Sequence, residues 1–238
     1  MAKRFIVSEN SIEKQDNIIT VKGEEVHHIN VLRYKVGDRA YINDYQIEIT
    51  KLSKDILVGK IIGKLPKKGI PNINITLIQS YLKSDKMDYV VQKAVELGVK
   101  NIIPVITKNT VVKLDEKDKL RKVERLSKIA KEAVEQCGRT DNINIDNVQT
   151  LSSIDISRFE KVLICHETSN VTLRSVIDNI RGNKNIAVII GPEGGLDEQE
   201  VKKLLENTNV LDISLGERIL RAETASLCIL SILGYELS

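Results

Sequence analysis

From residue 73 onward the chain alternates short, continuous runs of Val, Ile and Leu with amphipathic segments, and few architectures accommodate that rhythm. A run that is apolar on both faces must be covered on both faces, as a parallel strand between crossover helices is. Strand candidates fall at residues 73–79, 102–106, 161–165, 186–190 and 210–215, with helix candidates at 86–97, 118–137, 173–181, 198–207 and 223–233. In the first helix, Met87, Val90, Val91, Ala94 and Leu97 share a face, with Asp85 placed as N-cap and Gly98 just past the end. The longest helix aligns Leu120, Val123, Leu126, Ile129, Ala130, Ala133, Val134 and Cys137 as its inward face. The pattern predicts an α/β domain with a mostly parallel sheet.

The first 65 residues follow a different rule. Short β-rich runs at 4–7, 17–21, 39–42, 46–52 and 56–62 are separated by turn signals at Lys22-Gly23, Val36-Gly37-Asp38 and Asn43-Asp44. Five short strands at this spacing predict a small barrel. Leu65-Pro66-Lys67-Lys68-Gly69-Ile70-Pro71-Asn72 has the content of a linker. Charge divides along the same line: residues 1–70 hold 13 Lys and Arg against 9 Asp and Glu, and the remainder 23 against 24. A basic N-terminal segment suits a polyanionic partner. With two Phe, six Tyr and no Trp, a surface built on base stacking is disfavoured.

Cys137, Cys165 and Cys228 lack CxxC or Cys/His spacing, which argues against zinc and a disulfide framework. The His27-His28 pair has no partner at ligand spacing and reads as turn chemistry. No apolar run approaches the roughly 18–20 residues of a membrane span. The start, Met1-Ala2-Lys3-Arg4-Phe5-Ile6-Val7, meets a charge at Glu9 and offers no signal-peptide core. The expectation is a cytoplasmic protein with reduced thiols and no metal.

In open α/β sheets, ligands sit beyond the carboxyl ends of strands. Two such ends carry unusual loops. After the strand at 186–190 comes Gly191-Pro192-Glu193-Gly194-Gly195-Leu196, in which Gly191 permits close backbone approach and Gly194-Gly195 allow positive φ. Asp197 and Glu200 then form a D-x-x-E capping arrangement. No Lys-Ser/Thr follows, so this is no P-loop, and Glu193 would repel a pyrophosphate. A ligand of positive or neutral character fits better, although the loop also reads as a plain strand-to-helix turn. After the strand at 210–215 comes Gly216-Glu217-Arg218-Ile219-Leu220-Arg221-Ala222-Glu223-Thr224-Ala225. Leu215, Ile219 and Leu220 suit an apolar slot, and Gly216 leaves room for a flat ring. Arg221 and Glu223 sit where the next helix begins, a place equally suited to a surface ion pair and a helix-start acid.

These motifs, GPEGGL and then LGERILRAETA, resemble the signature of the RsmE-type 16S rRNA (uracil-N3)-methyltransferase family of the SPOUT superfamily. The resemblance continues through Lys83-Ser84-Asp85-Lys86-Met87, the block from Gln92 to Val99, the block from Ile129 to Arg139, and His28, Val31-Leu32-Arg33 and Gly37-Asp38. It spans nearly the whole chain. The chain departs from the family pattern at Leu126, often Trp; Asn109, often Arg; Ile143, often Pro; and Asp44-Tyr45, often Asp-Gly.

The resemblance implies a PUA-like β-barrel over residues 1–70 that binds RNA. It implies a SPOUT methyltransferase domain over 71–238 with a deep trefoil knot, and a homodimer. The implied reaction is S-adenosylmethionine-dependent methylation of N3 of a uridine in 16S rRNA of the small ribosomal subunit. The cofactor is expected among Leu163, His166, Gly191, Glu193, Gly194, Leu215, Gly216, Ile219 and Leu220. Arg221 is the expected stabiliser of the uridine anion and Glu223 the expected base. Arg4, Arg33, Lys83, Lys86, Lys93 and Arg139 are expected RNA contacts, chiefly to phosphate. The alternatives are a non-catalytic RNA-binding assembly factor, which cofactor titration would separate, and a SPOUT enzyme that methylates a different RNA position, which mapping the modified nucleotide would separate.

Overall fold

A computed structural model of the protein describes residues 4–65, 69–83 and 85–237. Residues 1–3, Pro66-Lys67-Lys68 of the expected linker and Ser84 of the central motif lie outside the described residues. The chain forms two compact units, one comprising Met1–Ile70 with Glu135–Asp141 and the other Pro71–Val134 with Asn142–Ser238. Residues 135–141, which the sequence pattern leaves in the second domain, thus pack with the first unit.

The first unit contains β1 (Arg4–Phe5), β2 (Ile12–Gln15), β3 (Ile18–Lys22), α1 (Glu24–Val31), β4 (Arg39–Ile42), β5 (Tyr45–Leu52) and β6 (Ile56–Lys64). The strands pair in the order β1-β4-β5-β6-β3-β2, antiparallel except for β1 with β4. Alternation with period two places Ile19 and Val21, Ile47 and Ile49, and Leu57 on the buried face, where Phe5, Val26 and Ile29 complete the core. The sequence reading of five strands misses β2, an edge strand whose Ile-Glu-Lys-Gln is largely exposed and carries little apolar signal. It also misses α1, which buries only Val26 and Ile29. His27 and His28 accordingly lie on a helix and not in a turn, and His28 packs edge-on against Phe5 at 5.7 Å.

The second unit contains β7 (Asn74–Ser80), α2 (Lys86–Glu96), β8 (Asn101–Ile106), α3 (Glu116–Cys137, whose end joins the first unit), β9 (Asn144–Ile145) and β10 (Gln149–Thr150). It continues with β11 (Lys161–Cys165), α4 (Leu173–Ile180), β12 (Asn185–Ile190), α5 (Glu198–Leu205), β13 (Val210–Ile213) and α6 (Ala222–Glu236). The sheet runs β10-β8-β7-β12-β11-β13, with β9 also on β8, and every pairing is parallel. Strand β12 is buried from Ile186 to Ile190, as a strand covered on both faces must be. Two residues assigned to the inward face of α3 are solvent-exposed: Leu120, at 62%, and Cys137. Asp85 stands at the N-cap of α2 without a side-chain capping bond, whereas Gly98 takes the left-handed φ of 96° that ends the helix. Among the described residues no helix is long and apolar enough to cross a membrane.

Candidate active site

Strands β12, β11 and β13 are neighbours with the same direction, so their carboxyl ends deliver three loops to one side of the sheet. Those loops, together with Lys86 at the start of α2 and Ala222 and Ala225 of α6, line a cavity of about 290 Å³. This lies at the lower end of the range for small-molecule sites, roughly 300–1,000 Å³.

The loop after β12 is tightly specified. A Cβ at Gly191 would come within 3.0 Å of the Leu196 backbone nitrogen and 3.1 Å of Leu196 Cγ, so a side chain there would make the loop shift by a few tenths of an ångström. Positive φ is taken at Gly195 (72°) and not at Gly194, where an added Cβ would meet only ordinary contact with Asn109 at 3.6 Å. The Asn109 amide donates to the carbonyl oxygens of Gly194 at 3.4 Å and Gly195 at 3.2 Å. Asp197 caps α5 by accepting from Gln199 N–H at 3.1 Å, and Lys108 Nζ lies 2.7 Å from its Oδ2. The Lys108 ammonium holds the Asp197 carboxyl below its ordinary range. Glu200 does not close the reciprocal capping bond; its Oε1 accepts from Lys108 N–H at 3.1 Å.

The loop after β13 is anchored more sparsely. Ser214 Oγ accepts from Gly216 N–H at 3.2 Å, and Gly216 has φ of 118°. Leu215 and Leu220 are partly covered, whereas Ile219 is 82% exposed. Arg221 occupies the N-cap position of α6, exposed, with no ion pair among the described residues. The Arg221–Glu223 surface pair does not form: Glu223 Oε1 instead faces Lys86 Nζ at 3.4 Å, and Glu223 Oε2 is buried without a hydrogen-bond partner.

The third loop brings His166 to the wall. Its Nδ1 lies 3.6 Å from Asp212 Oδ1 and 3.3 Å from Thr168 Oγ1. Cys165, beside it, has its thiol pKa pushed up by burial.

Of the cofactor candidates, His166, Gly191, Glu193, Leu215, Gly216, Ile219 and Leu220 line the cavity together with Arg221. Leu163 does not: it is wholly buried in mid-strand β11, and Cys165 at the strand end takes that place. Gly194 is also absent from the lining, since its backbone carbonyl turns to Asn109. Lys86 and Ser214 are wall residues that the sequence reading did not place there; the rule that ligands meet strand ends could have found Ser214.

The RNA candidates separate sharply. Arg4 is 8% exposed, and its guanidinium donates to the carbonyls of Asn43 (2.8 Å), Thr140 (3.1 Å) and Arg139 and faces Asp44 Oδ1 at 3.3 Å. Arg139 is 3% exposed and forms a two-point pair with Asp141, at 3.0 and 2.8 Å. Both hold the first unit together and have no surface to offer a phosphate. Arg33 is exposed at the end of α1 with φ of 61°, and Lys83 is exposed. Lys93 is partly covered and paired with Glu96 at 2.8 Å.

Residues 70–234 match the family described as RNA methyltransferase domain, and residues 21–62 match the RNA methyltransferase PUA domain. The class defined by fold and cavity is therefore that of a methyltransferase joined to an RNA-binding module. The ribosomal RNA small subunit methyltransferase E of Bacillus subtilis (strain 168) is 32% identical, covering 99% of this chain and 97% of its own. That of Mesomycoplasma hyopneumoniae is 31% identical, covering 96% and 97%. The crystal structure of the same enzyme from Neisseria gonorrhoeae bound to S-adenosyl methionine superposes with a TM-score of 0.85 at 27% identity, covering 100% and 98% of the two chains. A Legionella pneumophila methyltransferase in complex with SAM gives 0.81 at 27%, covering 99% and 98%. The chain belongs to the ribosomal RNA small subunit methyltransferase E family.

Proposed function

We propose that this protein methylates N3 of a uridine in the 16S RNA of the small ribosomal subunit, using S-adenosylmethionine. One observation carries the reading: the loops after three adjacent parallel strands converge on a single cavity, with Gly191 on its wall packed tightly against Leu196. Its walls pair apolar Leu215 and Leu220 with both carboxylates (Glu167, Glu193, Glu217) and cations (Lys86, Arg218, Arg221), which suits a cofactor with a flat ring and groups of both signs. His166, Gly191, Glu193, Leu215, Gly216, Ile219 and Leu220 are the residues assigned to hold it.

The bound cofactor supplies a methyl group already activated by a sulfonium sulfur. What remains for the protein is to align N3 and to manage its proton. The nitrogen is flanked by two carbonyls, so negative charge spreads onto their oxygens as the proton leaves. Arg221, on the cavity wall and without an ion pair among the described residues, is assigned to stabilise that charge. Glu223, whose Oε1 meets the cavity-lining Lys86 at 3.4 Å, is assigned to take the proton.

The reading further includes a deep trefoil knot of SPOUT type in residues 71–238, a homodimer, and a cytoplasmic site of action. The PUA-like residues 1–70 are assigned RNA affinity, with Arg33 in that unit and Lys83 and Lys93 in the other as candidate phosphate contacts. The deciding experiment is methylation of small-subunit particles from cells lacking the enzyme, with the modified nucleotide mapped by mass. Methyl groups at a base N3 in 16S RNA are expected. Methylation at a ribose oxygen or another base position would overturn the position, and absence of cofactor binding at millimolar concentration would overturn the enzyme.

A further inference from the structure

Three elements distant in sequence meet at Lys86. Its Nζ lies 3.7 Å from Glu193 Oε1, in the loop after β12, and 3.4 Å from Glu223 Oε1, in the first turn of α6. The two carboxylates are not equally provided for. Glu193 Oε1 also accepts from Lys83 N–H at 3.4 Å, whereas Lys86 is the one side chain paired with Glu223 among the described residues. The Lys86 side chain is 33% exposed and that of Glu223 16%, so the pair sits partly out of water, where its attraction is stronger than on an open surface.

This arrangement argues against the phosphate contact that the sequence suggests for Lys86. One ammonium between two carboxylates leaves the cluster with a net negative charge, and a phosphate approaching it meets repulsion. The same arrangement suits a different task. A glutamate side chain has three rotatable bonds, and an acceptor that must meet one proton needs them fixed. By engaging Oε1 from the cavity wall, Lys86 fixes the Glu223 carboxylate, whose other oxygen is enclosed and has no hydrogen-bond partner among the described residues.

We propose that Lys86 is a positioning residue, acting through Glu223 to hold its carboxylate in place. This rests on the reading of Glu223 as the base. The test compares Lys86→Gln, Lys86→Arg, Glu223→Gln and the double variant Lys86→Gln/Glu223→Gln in the full chain, with melting temperatures confirming that each folds. Lys86→Gln should lower kcat about 100-fold, the cost of a misplacement near the reacting atoms, while KM for RNA and its salt dependence stay as they were. Cofactor affinity by calorimetry should fall by less than kcat does, even though Lys86 lines the cavity and also meets Glu193. Lys86→Arg, which keeps the charge at similar reach, should recover most of the rate. In the Glu223→Gln background, removing Lys86 should cost little more, because the two act as a unit.

A Lys86→Gln defect confined to KM, with a shallower salt slope, would overturn the proposal in favour of phosphate binding. Full multiplication of the two defects in the double variant would overturn it too, as would wild-type turnover in Lys86→Gln beside an impaired Glu223→Gln. Wild-type turnover in Glu223→Gln would remove the base assignment itself, and the proposal with it.

Discussion

The loops after β12 and β13 border the same cavity but are built on opposite terms. The first is bound on every side: Gly191 is jammed against Leu196, Asn109 holds two of its carbonyls, and Lys108 is tied to the helix cap that ends it. The second has a serine anchoring its turn, an isoleucine left in solvent and an arginine whose side chain has no ion pair among the described residues. A loop with all its groups satisfied provides a fixed cradle at no cost when the ligand arrives. A loop with groups held in reserve has unspent interactions to make with cofactor and substrate. The contrast separates binding from chemistry, and substitutions on each side should separate them too.

The largest effect belongs to the sparse loop. Arg221→Ala should lower single-turnover rate by on the order of 100- to 1000-fold, the typical cost of losing one charge-stabilising donor, with cofactor affinity nearly unchanged. A variant with full turnover and lowered melting temperature would show that Arg221 only serves the start of α6. Next comes the cradle. Gly191→Val should weaken cofactor binding about 100-fold, from roughly 3 kcal/mol of overpacking against a backbone that cannot retreat. Gly194→Ala, three residues on in the same motif, has ordinary space for its methyl group and no positive φ to strain, and calorimetry should find its affinity close to wild type. Equal losses in the two variants would erase the distinction between a closed and an open position.

Asn109→Ala should reduce cofactor affinity by up to about 30-fold, since two hydrogen bonds worth about 1 kcal/mol each then leave the loop carbonyls to water. Turnover at saturating cofactor should hold. The smallest effect is a pH dependence. The Asp197 carboxyl titrates below its ordinary value when folded, so its contribution to stability is present above the unfolded value and disappears as pH falls through the folded one. The melting-temperature gap between wild type and Asp197→Asn should therefore close on acidification. A gap that stays constant with pH would assign the effect to the cap hydrogen bond alone.

Local chemistry explains which of these features the sequence reveals. The apolar run of β12 and the face Met87-Val90-Val91-Ala94 on α2 are visible because burial follows from a neighbouring pattern within a few residues. Strand β2 escapes notice because an edge strand needs no apolar side chains to be held by its backbone. Arg4 and Arg139 read as surface charges because nothing local distinguishes a solvated arginine from one that closes a contact across 135 residues. Gly191 and Gly194 look alike in sequence, yet only the three-dimensional path of Leu196 makes one of them indispensable. Lys86 is legible as a cation, but its two carboxylate neighbours lie in the last fifth of the chain.

The joining of Glu135–Asp141 to the first unit bears on how the protein is made. Synthesis proceeds from the N-terminus at about 5–20 residues per second, and N-terminal domains commonly fold first. Here the first unit emerges with Arg4 lacking the carbonyls of Arg139 and Thr140. Those acceptors arrive only after roughly 70 more residues, some 4–14 s later at that pace. For that interval Arg4 has Asn43 and Asp44 beside it but lacks its two later acceptors, still inside the ribosome, and the N-terminal unit is completed by a segment that belongs, in order of birth, to the middle of the other.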